Sequence, residues 1–355
     1  MHTAGARPDD HRRDDERRDD ERRMAEAVAV AATARQRAHP NPWVGCILEG
    51  ADGRMVSAAT ESPGGLHAEA GALANARAAG IRTEGATVWV TLEPCSHHGR
   101  TPPCADALVE AGVARVVVAL ADPDRRVAGQ GILRLRGAGI EVVLGVAKAV
   151  VEEQLAPYLH HRRTGMPWVV LKMAASLDGR TAAPDGSSRW ITGPEARADS
   201  HRLRAESDAV LVGAGTVRAD DPSLTVRLPD AARGIRDPLR VVLGRAPERA
   251  KVHPCLELGG PLLGVLDRLG GQGVVQVLVE GGPHVAGSFH RAGLVNRYVL
   301  YLAPALFGGD DARPVFAGRG APTMPDVTRG AITSVTRLGA DLRIDLEVGP
   351  NLEAC

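Results

Sequence analysis

From Met24 onward, short apolar runs alternate with stretches of helical spacing. Residues 24–38 are Ala-rich and predict a helix. His39-Pro40-Asn41-Pro42 stops it, because proline lacks an N–H and restricts the residue before it, and 43–48 follows as a short strand. The runs 87–92, 115–120 and 141–145 are apolar and β-branched and read as strands, while 69–79 has helical spacing. Strands alternating with helices predict α/β layers with helices on both faces of a sheet. Residues 147–163 read as one further helix ending in His160-His161-Arg162-Arg163, and Gly165-Met166-Pro167 marks a boundary. Then the rhythm restarts. Residues 168–173 form a nearly continuous apolar run, as expected of a strand covered on both faces. Residues 209–212 run into Gly213-Ala214-Gly215, and 277–279 run into Glu280-Gly281-Gly282-Pro283 and a helix over 284–292. Gly270, Gly271 and Gly273 precede a strand rather than follow one, so no dinucleotide-binding G-x-G-x-x-G loop is present.

A length of 355 residues suggests two domains, each large enough for its own core. Residues 1–23 are almost wholly charged or polar over their second half and predict a disordered leader or an alternating-charge helix, with the folded part beginning at Met24. The expected division is therefore a first domain over 24–146, a linker helix over 147–165 and a second domain over 166–350. Lys plus Arg and Asp plus Glu are both 43, and aromatics make up 3%, which leaves neither a basic footprint nor a stacking surface for nucleic acid. Five cysteines, an odd number, argue for a reducing compartment, hence a cytoplasmic location, rather than a disulfide framework. No run approaches membrane-spanning length.

Candidate chemistry centres on His67-Ala68-Glu69, then Glu93-Pro94-Cys95 after a strand, then Cys104 with eight residues between the cysteines. One imidazole and two thiols make three zinc ligands, and a catalytic zinc keeps its fourth position for water. Zinc lowers the pKa of that water, and a carboxylate that is not a ligand, here Glu69, can move protons between water and a departing amine. Residues two apart do not share a face of a regular helix, so His67 and Glu69 belong at a helix start. A structural zinc closed by His97 or His98 is the alternative.

Pro40-Asn41-Pro42, His67-Ala68-Glu69, the run from Thr91-Leu92-Glu93-Pro94-Cys95 through His97-His98-Gly99-Arg100 to Cys104, and Asp122-Pro123 together resemble the bifunctional deaminase/reductase family of riboflavin biosynthesis. Residues 166–348 resemble its reductase half through Lys172 with Ala-x-Ser-Leu-Asp-Gly, Ser188-Arg189-Trp190-Ile191-Thr192 and Glu280-Gly281-Gly282. The resemblance implies an α/β chain: a cytidine-deaminase-like three-layer domain followed by a dihydrofolate-reductase-like domain. It implies Zn²⁺ on His67, Cys95 and Cys104, Glu69 as proton shuttle, and substrate contacts from Asn41, His97, Arg100 and Asp122.

For the second half it implies NADPH contacts from Ala174, Trp190, Thr216, Asp220 and the turn Gly282, Pro283, His284, Val285, Ala286, Gly287 and Ser288. Substrate contacts would come from Ser188, Arg204, Leu224, Arg227 and Glu280, with Lys172 and Glu280 as the titratable groups near the hydride. The arginines suit a phosphate through paired donors. The implied substrate is a small diaminopyrimidinone carrying a phosphoribosylamine, deaminated by the first half and reduced from ribosyl to ribityl by the second, in a homo-oligomer without nucleic-acid or membrane partners. Three departures stand out. Residues 56–61 read Val-Ser-Ala-Ala-Thr-Glu where the family has Gly-x-Gly-x-His, Asp122-Pro123-Asp124-Arg125 replaces Asp-Pro-Asn-Pro, and 244–269 is compressed. They keep two rival readings open: a relative acting on another modified pyrimidine, and a non-catalytic zinc and nucleotide binding module.

Overall fold

A computed structural model describes residues 8–97, 102–124, 127–228 and 235–349, with side chains from residue 13 onward. The chain divides into two compact units, Met1–Arg163 and Thr164–Cys355.

The first unit runs α1 (Pro8–Ala32), β1 (Gly45–Glu49), β2 (Met55–Ala59), α2 (Ala68–Ala78), β3 (Thr87–Val90), α3 (Cys104–Glu110), β4 (Arg115–Val118), α4 (Gln130–Gly137), β5 (Glu141–Leu144), α5 (Lys148–Gln154) and α6 (Ala156–Thr164). Its sheet has the order β2-β1-β3-β4-β5; β1 is antiparallel to both neighbours and β3, β4 and β5 are parallel. The alanines of α1 have a packing reason. A Cβ on Gly45 would stand 2.0 Å from the Ala27 carbonyl oxygen, so helix and strand backbones touch, with Met24, Ala27 and Ala31 fully buried.

Three expectations are corrected here. Residues 8–23 are not a disordered leader, because α1 begins at Pro8 rather than near Met24. Asp20, buried, accepts from the Trp89 indole N–H at 2.8 Å and from both terminal nitrogens of Arg115 at 2.8 and 2.7 Å, so a charged segment is anchored through one satisfied carboxylate. Residues 1–7 lie outside the described residues. The same helix ends at Ala32, short of Ala38. Residues 147–163 form two helices rather than one, with Leu155 capping α5; Pro157, in the first turn of α6, cannot donate back to the preceding turn. Both helices group with the first unit, so this segment is no separate linker.

The second unit contains β6 (Trp168–Ser176), β7 (Arg180–Ala182), α7 (Pro194–Ala205), β8 (Ala209–Gly213), α8 (Ala214–Asp220), β9 (Leu239–Leu243), β10 (Leu256–Leu258), α9 (Leu262–Gly271), β11 (Gln276–Val279), α10 (Pro283–Arg291), β12 (Arg297–Ala303), β13 (Arg313–Pro314), β14 (Ala331–Leu338) and β15 (Asp341–Glu347). The order in the large sheet is β10-β9-β8-β11-β6-β12-β15-β14, parallel through β12 and antiparallel at β15 and β14; β7 and β13 pair separately. Along β6, Val169, Leu171 and Met173 enter one apolar cluster and Val170 enters another, as alternation requires of a strand covered on both faces. The compressed segment 244–269 contributes the three-residue edge strand β10. Among the described residues no helix is long and apolar enough to cross a membrane.

Candidate active sites

In the first unit, His67 occupies the position before α2 in extended backbone (φ −71°, ψ 161°), and Glu69 sits in the first turn. This irregular start lets two residues only two apart serve one site. Strand β3 ends just before Glu93-Pro94-Cys95, and Cys104 opens α3. The His67 Nδ1 atom lies 3.6 Å from the Cys95 sulfur and 3.4 Å from the Cys104 sulfur, and all three donor atoms fall within 4.8 Å of one another. With Zn–S near 2.3 Å and Zn–N near 2.0 Å, a tetrahedral nitrogen-to-sulfur edge is about 3.5 Å, so these donors fit a zinc ion. His97 does not join the group, and His98, Gly99 and Arg100 lie outside the described residues. The alternative of a structural zinc closed by His97 is corrected accordingly.

The electrostatics follow from burial and crowding. Hydrogen bonding from Cys104, aided by His67, pulls the Cys95 thiol down to about 4. The same neighbour, together with burial, pushes Cys104 far up, so the thiolate resides on Cys95. His67 is raised by its bond to Cys95. Glu69 is pushed up to about 7 by burial, with the Cys95 charge adding to it. A carboxyl poised there gives and takes a proton at little cost near neutral pH.

A residue that sequence reasoning passed over holds this site in place. The buried Glu93 carboxylate accepts four backbone N–H bonds: from Asp122 (3.1 Å) and Gly129 (3.0 Å) on Oε2, and from Gly131 (2.9 Å) and Ile132 (3.3 Å) on Oε1. It ties the end of β3 to the loop after β4 and the start of α4. Gly131 is obligatory there, since a Cβ would stand 1.9 Å from the Pro94 carbonyl oxygen. Its position inside Glu-Pro-Cys was the available signal.

Asp122, buried and shifted upward by that burial, accepts from the Tyr158 hydroxyl at 3.1 and 3.0 Å and from the Asp124 N–H at 2.9 Å. The Nδ1 of His97 is buried with no hydrogen-bond partner among the described residues. Asn41 stands in the turn between α1 and β1, and Arg125 lies outside the described residues. Residues 56–61, which lack the Gly-x-Gly-x-His pattern, supply the edge strand β2. A turn follows, in which the Glu61 carboxylate accepts from the Leu66 N–H at 2.8 Å.

In the second unit, Lys172 on β6 lies 4.0 Å from the Glu280 carboxylate at the end of β11 and 5.6 Å from the centre of the Tyr301 ring. Arg204 on α7 grips Glu280 through Nε (2.5 Å) and Nη2 (3.0 Å) and gives Nη1 to the Thr225 carbonyl (3.1 Å). Three of the five N–H groups of Arg204 are thereby engaged within the protein. Burial opposes charge on Glu280, yet Arg204 and Lys172 outweigh it and hold the carboxyl below its ordinary range. Burial lowers Lys172 against the pull of Glu280.

The turn Glu280-Gly281-Gly282 leads directly into α10. A Cβ on Gly281 would stand 2.5 Å from the Val285 side chain, and one on Gly282 would stand 3.6 Å from the Thr216 hydroxyl, so the glycines bring this helix start close to α8. A helix N-terminus with glycine before it admits a phosphate, which fits the pyrophosphate of a dinucleotide. Within the expected stretch, Ala286 is buried in the apolar core, with its N–H bonded to the Gly282 carbonyl. Gly287 abuts the Ala317 carbonyl, where a Cβ would stand 2.3 Å away. These two shape the turn, and the Ser288 hydroxyl donates to the His284 carbonyl at 2.8 Å. Trp190 is 71% exposed with the Arg197 guanidinium 4.6 Å over its ring, and Arg189 donates to the Asp220 carbonyl at 3.0 Å. Ala174 pairs with Tyr301 across β6 and β12. Leu224 is buried in left-handed backbone (φ 54°), Ser188 lies in the loop after β7, and Arg227 is exposed.

Comparison with known proteins follows this division. Residues 17–120 match the family model of the cytidine and deoxycytidylate deaminase zinc-binding region, and residues 167–344 match that of the RibD C-terminal domain. The riboflavin biosynthesis protein RibD of Mycobacterium tuberculosis is 44% identical over 341 residues, covering 91% of this chain and 96% of that protein. Its namesake from Escherichia coli is 39% identical over 363 residues, covering 91% and 98%. Among solved structures, Acinetobacter baumannii RibD is 37% identical with a TM-score of 0.86, covering 94% of this chain and all of the other. A diaminohydroxyphosphoribosylaminopyrimidine deaminase/5-amino-6-(5-phosphoribosylamino)uracil reductase from Thermotoga maritima is 31% identical with a TM-score of 0.84, covering 94% of this chain.

Proposed function

Because the chain belongs to the RibD family of bifunctional riboflavin biosynthesis proteins, we propose a division of labour among its own residues. The protein is a zinc-dependent deaminase and an NADPH-dependent reductase. It releases ammonia from a diaminopyrimidinone that carries a phosphoribosylamine, and reduces the ribosyl group to ribityl.

In the deaminase unit, His67, Cys95 and Cys104 hold the zinc, which when bound supplies a Lewis acid that makes water nucleophilic near neutral pH. Glu69 takes a proton from water and returns it to the departing amine. Burial suits it to both halves of that task, since its carboxyl sits near neutrality. His97 and Asp122 face the substrate, with Tyr158 holding Asp122 and Glu93 holding the loop. In the reductase unit, NADPH supplies the hydride. Thr216, Asp220 and the helix start at Gly282 receive the cofactor. Lys172 and Glu280 orient the opened sugar, Arg204 keeps Glu280 ionised, and exposed Arg227 is the phosphate partner.

The observation that carries this reading is the meeting of one imidazole nitrogen and two sulfurs beside the buried carboxyl of Glu69. Glu69→Gln tests it. Ammonia release should fall by at least about a thousand-fold, at the upper reach of general acid–base catalysis, with zinc content and NADPH oxidation unchanged. Wild-type ammonia release by that variant ends the assignment.

The chain also works as a homo-oligomer in a reducing cytoplasm, without a nucleic-acid partner. Strand β14 closes one edge of the sheet with Ile332 62% and Val335 59% exposed, an apolar edge that a second copy would cover. Light scattering should report dissociation in Val335→Lys, and an unchanged mass would reject this edge as the contact.

A further inference from the structure

The approach to the edge strand β10 and the strand itself read His253-Pro254-Cys255-Leu256-Glu257-Leu258. In extended backbone alternate side chains point the same way. Cys255 and Glu257 accordingly lie to one side, Cys255 partly against a second apolar cluster, while Leu256 and Leu258 pack into the apolar core on the other, and His253 stands in the bend just before the strand. The three donor atoms nonetheless lie within 4.8 Å of one another. His253 Nδ1 is 3.5 Å from the Cys255 sulfur, the same edge length as the 3.6 and 3.4 Å that join His67 to Cys95 and Cys104.

The other ring nitrogen decides what Nδ1 presents. Nε2 of His253 lies 3.0 Å from the Pro247 carbonyl oxygen, which can only accept, so Nε2 carries the hydrogen and Nδ1 offers its lone pair to the cluster. Anchoring the remote N–H on a backbone carbonyl is how metal-binding imidazoles are oriented. The Glu257 carboxylate is held in turn by the Ala246 N–H at 2.9 Å. A thiol-to-imidazole hydrogen bond alone would explain the histidine and the cysteine, but not a carboxylate oriented onto the same point. His253 and Glu257 are exposed and Cys255 is half-buried, so an ion reaches the group directly from solvent.

We propose that His253 Nδ1, the Cys255 sulfur and the Glu257 carboxylate form a second divalent-cation site, separate from the deaminase centre. A nitrogen, sulfur and oxygen set excludes magnesium and calcium as preferred occupants and selects zinc among the common ions. Water completes the coordination, and binding releases the Cys255 thiol proton to solvent. Ala246 and Pro247 carry the two outer bonds, so the ion braces the loop between β9 and β10 against the edge of the sheet.

The test is equilibrium dialysis of the full-length protein against rising free zinc, with zinc per chain measured at saturation. Wild type should hold one equivalent more than Cys255→Ser, while ammonia release and NADPH oxidation run at wild-type rates in both. Glu257→Gln should weaken that same equivalent about ten-fold or more. Cobalt titration supplies a second readout, because the thiolate-to-cobalt absorption of wild type should exceed that of Cys255→Ser by the contribution of one thiolate. Equal zinc stoichiometry and equal cobalt spectra in the two proteins overturn the proposal. If Cys255→Ser does not fold, His253→Gln, altered at an exposed side chain, decides by the same measurement.

Discussion

Glu93 gives the most demanding test of how the deaminase centre is held. Its buried carboxylate satisfies four backbone N–H groups, two on each oxygen. Glu93→Gln keeps the shape but turns one oxygen into an NH₂ group, which leaves two donors facing a donor. Hydrogen bonds to a charged acceptor contribute about 1.5–3 kcal/mol each, so losing two of them should destabilise the unit by about 3–6 kcal/mol. With a urea slope of about 2 kcal/mol per molar for a domain of this size, the midpoint of its unfolding should drop by about 2 M. The two activities supply the assay, since each belongs to its own unit: ammonia release and NADPH oxidation are followed across a urea series. The variant should lose ammonia release at lower urea while NADPH oxidation keeps its wild-type midpoint. A drop of less than about 0.5 M would refute the clamp, because it would mean that the two lost bonds together are worth less than one ordinary charged hydrogen bond.

Other changes have equally definite outcomes. Asp20→Ala strips Arg115 of a carboxylate that is only 6% exposed and leaves the Trp89 N–H unpaired, so the urea midpoint of ammonia release should fall by an amount equivalent to about 3 kcal/mol. Removing residues 1–23 should do the same, and an unaffected midpoint would show that the charged segment is dispensable. Glu280 is held below its ordinary value of 4.5, so the folded state binds its proton less tightly than the unfolded state. Its stabilisation is complete above about pH 4.5 and fades as pH falls through the folded value. Arg204→Met removes the main cause. The urea midpoint of NADPH oxidation in that variant should therefore decline less between about pH 6 and pH 4 than in wild type, and an equal decline in both contradicts the assignment.

Local pattern carried a good deal of this. The strands at 87–92, 115–120 and 141–145 and the helix start at His67 follow from periodicity and from the short range over which a helix begins. The His-x-Glu, Pro-Cys and second cysteine were legible because each ligand type has few other reasons to occur in that order. Edge strand β2 was not, since its five residues, Met55-Val56-Ser57-Ala58-Ala59, are short, small and half exposed and show no apolar alternation to read. Ahead of Met24 the pattern left disorder and a charged helix both open, because the anchor that decides it, Asp20, finds Trp89 across 69 residues and Arg115 across 95, distances over which composition says nothing.

The sequence by itself determined that there are two α/β units and that one of them carries a three-ligand zinc set. Only the tertiary structure decided that Arg204 bonds Glu280, that the Glu93 carboxylate gathers four backbone N–H groups, and that the donor atoms of His253, Cys255 and Glu257 lie together. Periodicity and ligand type are properties of neighbouring residues and survive in the linear chain. Which donor meets which acceptor is settled only when packing brings distant backbone and side chains within about 3 Å, the range over which a hydrogen bond or a metal bond acts.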